Sequence, residues 1–262
     1  MTAGGYRLRV GWECPLTHMS APADVRQNGL LAALPGADLE RVQRNLLLVF
    51  LTAGETLYEP GSILDCAYFP ATAIVADEYL MADGKSAEVA IVGSEGIVGI
   101  ALFMGGESRP NRAVVQTSGW AYRLKRHHLH EEFARGGALQ HVLLLYTQAL
   151  LTLTAQTVIC NRHHTIDQQL CRWLLLSLDR SRSSVLTTTH EHIAHMLGVR
   201  RESVTEAAGN LQRLGLVRNS RGHITVVDRA GLEARSCECY RVVKREYDRL
   251  LPDVSMGAAA AD

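Results

Sequence analysis

The sequence predicts an α+β fold in three parts: an N-terminal antiparallel, jelly-roll-like β-roll, one long helix, and a C-terminal winged helix-turn-helix. Three observations predict it. Between Leu46 and Lys125, short β-rich runs alternate with glycine turns. From Leu139 to Cys160, apolar residues recur with alternating steps of four and three. From Leu186 to Val227, the pattern reads helix, tight turn, helix, hairpin.

The start, Met1–Ala23, reads as a loose tail; Arg7 and Arg9 precede no continuous apolar stretch, so no secretory signal is expected. Asp24–Pro35 and Asp38–Leu48 read as short helices with Asp24 and Asp38 as N-caps. Strands are then expected at Leu47–Leu51, Ala67–Phe69, Ile74–Ala76, Ala87–Val92, Ala113–Thr117 and Trp120–Leu124. Asp83-Gly84 suits a hairpin turn, because glycine tolerates a positive φ.

A long helix follows Gly136-Gly137. Leu139, Leu143, Tyr146, Leu150, Leu153, Thr157 and Cys160 have the a/d spacing of a coiled-coil seam. Val142, Leu144, Leu145 and Leu151 lie off it, so the helix can face the β-roll on one side and a partner chain on the other. Packing of the seam on its own β-roll is the alternative. The stretch Leu139–Ile159 is also the best transmembrane candidate, but His141, Gln148, Gln156 and four threonines interrupt it. A cytoplasmic, membrane-free chain is the expectation, with its six cysteines reduced. Thr165–Leu178 reads as a further helix, apolar at Ile166, Leu170, Trp173, Leu174 and Leu178.

The most informative segment comes next. Thr189 can cap a helix over His190–Leu197 that buries Ile193, Met196 and Leu197. Gly198 ends it and Val199 plugs the turn. Arg200-Arg201-Glu202-Ser203 opens a second helix buried through Val204, Ala208 and Leu211, and Arg218–Gly222 forms the tip of a two-stranded wing returning through Ile224–Val227. In this motif the first residues of the second helix reach base edges. Arg201 can hold guanine O6 and N7 bidentately, and Glu202 can accept from a cytosine amino group. Ser203 and Thr205 add polar candidates on the same helix. Arg200, Arg218 and Arg221, with Thr189 and His190 at the first helix's start, are the candidates for phosphate. Charge agrees: 24–110 carries 12 Asp and Glu against 5 Lys and Arg, whereas 111–262 carries 14 against 20. The partner this predicts is double-stranded DNA.

Three motifs together, GETLYEPGS (Gly54–Ser62), GSEGIVGIALFMGG (Gly93–Gly106) and LTTTHEHIAHMLGVRRESVTEAAGNLQRLGLV (Leu186–Val217), resemble the Crp–Fnr family of transcription regulators over Leu30–Asp228. The resemblance implies a cyclic-nucleotide-binding-like sensor β-roll over 24–136, a dimerisation helix over 137–160, a winged helix-turn-helix over 161–229, and a C-terminal helix and tail over 230–262, the helix spanning Ala230–Leu251. It also implies a homodimer on a palindromic site, with RNA polymerase as a partner.

Departures from the family pattern fall in the effector pocket. Following Gly99, the family's glutamate position is Ile100; its Arg-Ser-Ala run is Asn111-Arg112-Ala113; its basic helix position is Leu150; and its Thr-Ser pair is Thr154-Ala155. Ile100 cannot accept a hydrogen bond from a ribose hydroxyl, and a phosphate would depend on Arg109 or Arg112. Cyclic AMP is therefore disfavoured, the effector is unassigned, and no cofactor is required. In the reading helix Arg201 and Glu202 match the family, whereas a later arginine position is Glu206, which implies a different half-site.

An iron–sulfur cluster of the family's oxygen-sensing type fails on ligand count, since Cys14 is the only cysteine before Cys66. Cys237 and Cys239 point about 200° apart on a helix, yet on a loop they could chelate, with Cys160, His163 and His164 as partners if the C-terminal helix folds back. Structural packing is the preferred reading, so no metal is assigned; a thiol or metal switch is the alternative. His127, His128 and His130 read as exposed loop histidines. Phosphate-loop, Gly-x-Ser-x-Gly, His-Glu-x-x-His and dinucleotide motifs are all missing, so catalysis is not expected. A regulatory module that binds protein rather than DNA is the competing class, and the arginines at the second helix and wing argue against it.

Overall fold

A computed structural model describes residues 24–82, 86–181 and 183–254. The expected tail, Cys14 and the Asp83-Gly84 turn lie outside these residues. Asp24 does cap, but only a 3-10 turn over Val25–Gln27. Asn28 then caps α1 (Gly29–Ala32), accepting from the Leu31 N–H while its amide donates to the carbonyls of Pro70 and Gly96. Helix α2 spans Gly36–Gln43, starting from Pro35, so Asp38 lies in its first turn rather than at its cap. It ends before Leu48 because Leu46 already belongs to a strand.

Among the described residues, seven strands build the β-roll: β1 (Leu46–Leu51), β2 (Thr56–Tyr58), β3 (Cys66–Pro70), β4 (Ile74–Leu80), β5 (Ser86–Val92), β6 (Arg112–Thr117) and β7 (Gly119–Lys125). They form two antiparallel sheets, ordered β1-β7-β3 and β2-β6-β4-β5. Side chains from both, among them Ala67, Phe69, Val75, Ile91 and Leu124, meet in one continuous core. Strand β2 was not expected; it is three residues long and too short to show alternation. Two short helices were also missed, α3 (Ala101–Met104) and α4 (Arg126–Ala134). The latter carries His127, His128 and His130, which are therefore helical rather than loop residues.

Helix α5 runs Ala138–His163, 26 residues, or about 39 Å. Its structure corrects the expected seam. Leu139, Leu143, Tyr146, Leu150, Leu153 and Cys160 are buried within the chain itself. The side left bare carries Leu144, Leu151 and Val158, which are 52%, 63% and 68% exposed. Among the described residues α5 is the one helix long and apolar enough to cross a membrane; much of it packs on β5, α4 and α10.

Helix α6 (Ile166–Leu178) starts with a capping box, Thr165 bonded to the Gln168 N–H and Gln168 reaching back to the Thr165 N–H. It is followed by β8 (Val185–Thr187), α7 (His190–Leu197), α8 (Arg201–Arg213), β9 (Val217–Ser220) and β10 (His223–Val226). The wing has three strands, β8-β10-β9, not the two expected. The single C-terminal helix expected is two: α9 (Arg229–Arg235) and α10 (Glu238–Leu250), broken at Ser236-Cys237, with α10 folded back along α5.

Candidate DNA-reading surface and sensor pocket

Each local feature of the reading unit has a short-range cause. Thr189 Oγ1 accepts from the His192 N–H at 3.1 Å and closes the start of α7. Gly198 takes φ 66°, a left-handed conformation that costs glycine little, and so turns the chain out of α7. Arg200 is extended and starts α8. One face of α8 is sealed into the core through Val204, Ala208 and Leu211 at 0–1% exposure, which forces the opposite face outward.

That outward face carries Arg201, Glu202 and Thr205, all exposed, with Ser203 half-buried beside them. Arg201 Nε lies 3.7 Å from Glu191 Oε2, a contact too exposed to hold it against a better partner. Thr205 Oγ1 donates to the Arg201 carbonyl at 3.0 Å and lies 3.1 Å from His190 Nδ1, joining the two helices at the surface. Arg200, Arg218 and Arg221 are exposed. A cleft of about 450 Å³ runs between Thr189, His190, Arg201 and the wing residues Ser220, Arg221 and His223. Of the expected DNA-contact residues, Thr189, His190, Arg201 and Arg221 line this cleft, whereas Arg200 and Glu202 line a groove on the other side of Arg201. Asn219 fixes the wing to α8, its amide donating to the Ala208 carbonyl at 3.1 Å while its N–H donates to Gln212.

The sensor residues show a different arrangement. Arg109 is doubly bonded to buried Asp77, at 2.7 and 3.2 Å, and Arg112 to Glu78, at 2.7 and 2.9 Å. Burial pushes the Asp77 carboxyl upward, an effect the adjacent Arg109 opposes. Asn111, just before β6, and Ala113 within it are buried. Gly99 has φ 103°, and an added Cβ would meet the Tyr58 hydroxyl at 2.9 Å, so backbone and space both disfavour a side chain there. Ile100 is partly buried against the core. Thr154 bonds back to the Leu151 carbonyl at 2.9 Å on α5. The two arginines expected to meet a phosphate are both engaged by the chain's own carboxylates.

Two contacts that sequence reasoning missed join the units. Glu78 Oε2 accepts from Arg112 and from Ser86 Oγ, and Ser86 Oγ contacts His195 Nε2 on α7. This places the β4–β5 hairpin against the reading unit, beside a groove of about 960 Å³ whose lining includes Met81, Ser86, His195, Arg200, Arg201 and Glu202. Deeper in, Arg180 after α6 and Glu95 after β5 form an ion pair at 2.7 Å with both side chains at 0% exposure. Burial works against the Arg180 charge, but Glu95 together with Tyr247, Asp179 and Tyr146 outweighs it and keeps the guanidinium cationic. Arg180 also donates to the Ile91 and Leu176 carbonyls and lies 5.6 Å over the Tyr247 ring. Gly93 and Gly96 make room for this junction: an added Cβ would meet Arg180 Cβ at 2.7 Å or the Tyr146 ring at 2.6 Å.

Comparison with known proteins agrees with this geometry. A Crp-like helix-turn-helix domain model matches residues 168–235, and a cyclic nucleotide-binding domain model matches residues 48–135. Among solved structures, a putative transcriptional regulator of the crp/fnr family from Eubacterium rectale is similar, with TM-score 0.62 and 16% identity over 80% of this chain and 98% of that one. FixK2 from Bradyrhizobium japonicum has TM-score 0.61 and 18% identity over 73% and 98% of the two chains. TTHB099, a CRP-family transcriptional regulator from Thermus thermophilus, has TM-score 0.60 and 21% identity over 72% and 96%. No curated protein matches the chain.

Proposed function

Because the chain belongs to the Crp–Fnr family of transcription regulators, we propose that it reads a palindromic DNA site as a homodimer and does so without a bound cyclic nucleotide. The observation that carries this reading is the first turn of α8. Its inner face is locked in the core while Arg201 and Glu202 stand exposed, with Arg200 before them and the α7 N-terminus and the wing's Arg221 across the cleft from Arg201. Arg201 takes guanine and Glu202 cytosine; Arg200, Arg218, Arg221, Thr189 and His190 hold phosphates, with Ser203 and Thr205 completing the polar face.

The dimer forms through the bare side of α5. Leu144, Leu151 and Val158 are seven residues apart and exposed, with Gln148 and Ala155 between them, the register of a two-helix seam. Pairing there sets the two reading helices about 34 Å apart, one turn of DNA. No nucleotide is assigned because Asp77 and Glu78 already neutralise the arginines a phosphate would need. A signal that disturbs Arg112–Glu78 reaches α7 through Ser86 and His195, shifting the population of DNA-competent dimers. The reading places the protein in the cytoplasm, with RNA polymerase as partner, and assigns it no reaction of its own.

Selection of sites from random duplex DNA with purified protein and no added ligand tests the proposal. A two-fold palindrome with half-site centres about 10 bp apart is expected. No enrichment, with or without cell extract, would overturn the DNA-reading assignment. Enrichment that requires cyclic nucleotide would overturn the effector-free part alone.

A further inference from the structure

The break between α9 and α10 brings together four side chains that the DNA-reading scheme does not use. Cys160 and His164 sit one turn apart at the end of α5; Cys237 caps α10 and Cys239 lies in its first turn. Their ligand atoms all lie within 4.8 Å of one another. Cys160 Sγ is 3.6 Å from Cys237 Sγ, and Cys239 Sγ is 3.6 Å from His164 Nδ1. A tetrahedral zinc ion with bonds of about 2.3 Å to sulfur and about 2.0 Å to nitrogen sets its ligand atoms about 3.5–3.8 Å apart. Two of the edges therefore already have that length, and about 1 Å of contraction closes the widest.

We propose that Cys160, His164, Cys237 and Cys239 form a Cys3His site for one Zn2+ ion that clamps the end of α5 to the start of α10. The surroundings fit the chemistry. The three cysteines form a buried cluster of their own, apart from the main core, rather than filling space among aliphatic side chains. His164 Nε2 lies 3.3 Å from Glu238 Oε2, leaving Nδ1 facing the thiols; a carboxylate behind the ring is the usual second partner of a metal-bound histidine. Cys237 is the N-cap of α10, beside the backbone N–H groups that open that helix. Zn2+ displaces the thiol protons, and three thiolates with a neutral imidazole leave a net charge of −1. Arg172 answers it. Buried at 5% exposure, it donates to Thr157 Oγ1, one turn before Cys160, at 2.6 Å, and its Nε has no partner among the described residues.

The clamp stands independently of the DNA-reading proposal. It lies where α5 hands over to α6 and the reading unit, so it fixes the joint between the proposed dimer helix and the DNA-binding unit.

The test is elemental analysis of the full-length, tag-free protein from zinc-supplemented cells, purified without chelators. About one zinc per chain is expected, retained in Cys66→Ser and Cys171→Ser and lost in Cys237→Ser/Cys239→Ser. Should that double variant fail to fold, Glu238→Gln serves instead: its residue is exposed, all four ligands remain, and zinc affinity measured by chelator competition should fall about tenfold to a hundredfold. Replacing zinc with Co2+ should produce the intense visible absorption of tetrahedral cobalt–thiolate. A zinc-free wild-type protein, a Cys160–Cys237 disulfide in its place, or zinc retained by the folded double variant would overturn the proposal.

Discussion

Replacing Glu95 with glutamine should strand a cation in the middle of the molecule. Glu95 and Arg180 are wholly buried, 2.7 Å apart, and belong to different units, the loop after β5 and the end of α6. The substituted amide keeps the volume and can still accept from the Gly93 N–H, which Glu95 Oε2 now does at 3.0 Å. It cannot neutralise Arg180, whose other partners are the carbonyls of Ile91 and Leu176 and the Tyr247 ring. Removing one partner of a buried ion pair costs about 3–5 kcal/mol; the retained acceptor places the expected loss near the lower figure. That is a hundredfold or more in the folded-to-unfolded ratio. The assay is urea denaturation followed by circular dichroism at one fixed protein concentration, since association contributes to apparent stability. With a slope of about 2–3 kcal/mol/M, the midpoint should fall by about 1–1.5 M. Adding Arg180→Met should recover part of the loss, because it removes the stranded charge. A loss below about 1 kcal/mol at unchanged slope would refute the reasoning, since only a solvated pair is that weak.

Arg201→Ala should cost about 1–3 kcal/mol on the selected site and relax one base position, whereas Arg221→Ala should weaken all sequences alike and reduce the salt slope by about 1; fluorescence anisotropy across a salt series separates the two, and exchanged behaviours would reverse the assignments. Leu151→Glu places a charge in the exposed stripe of α5, where Leu151 is 63% exposed and contributes little to the fold of the single chain. The variant should stay folded yet sediment as a monomer, and an unchanged dimer would move the interface elsewhere. Glu88 has a buried, unpartnered Oε2, and burial pushes its carboxyl up to about 8 despite the opposing charge of Arg172. A carboxyl raised in the folded state binds its proton more tightly there, so stability should fall as pH rises from about 4.5 to about 8. Thermal melts of Glu88→Gln across that range should show a flatter dependence, and an identical slope would count against an enclosed carboxyl.

How legible each part was depends on how far away along the chain its causes lie. The reading unit was legible because its determinants are local. Thr189 caps three residues ahead, Gly198 supplies the left-handed turn within its own loop, and the spacing of Val204, Ala208 and Leu211 orients α8 by itself. The third wing strand was missed because Val185–Thr187 is only three residues long and acquires strand character from pairing with β10.

On α5, periodicity announced an apolar face but could not name its partner. The helix is apolar on two sides, and α10, nearly a hundred residues downstream, covers the side that spacing had offered to a second chain. The break at Ser236-Cys237 was equally silent, since a pattern that continues in phase does not reveal a cap.

The sequence by itself determined the order of the three main parts and the Arg200-Arg201-Glu202 run that opens α8, because each is a matter of residue identity at short spacing. Only the tertiary structure decided that Asp77 and Glu78 occupy Arg109 and Arg112, that Glu95 faces Arg180, and that Cys160 and His164 meet Cys237 and Cys239. These partners are 32 to 85 residues apart. Charge pairs and thiol clusters at such separations leave no periodic trace in the chain. They exist because burial penalises an unpaired polar group until one arrives beside it.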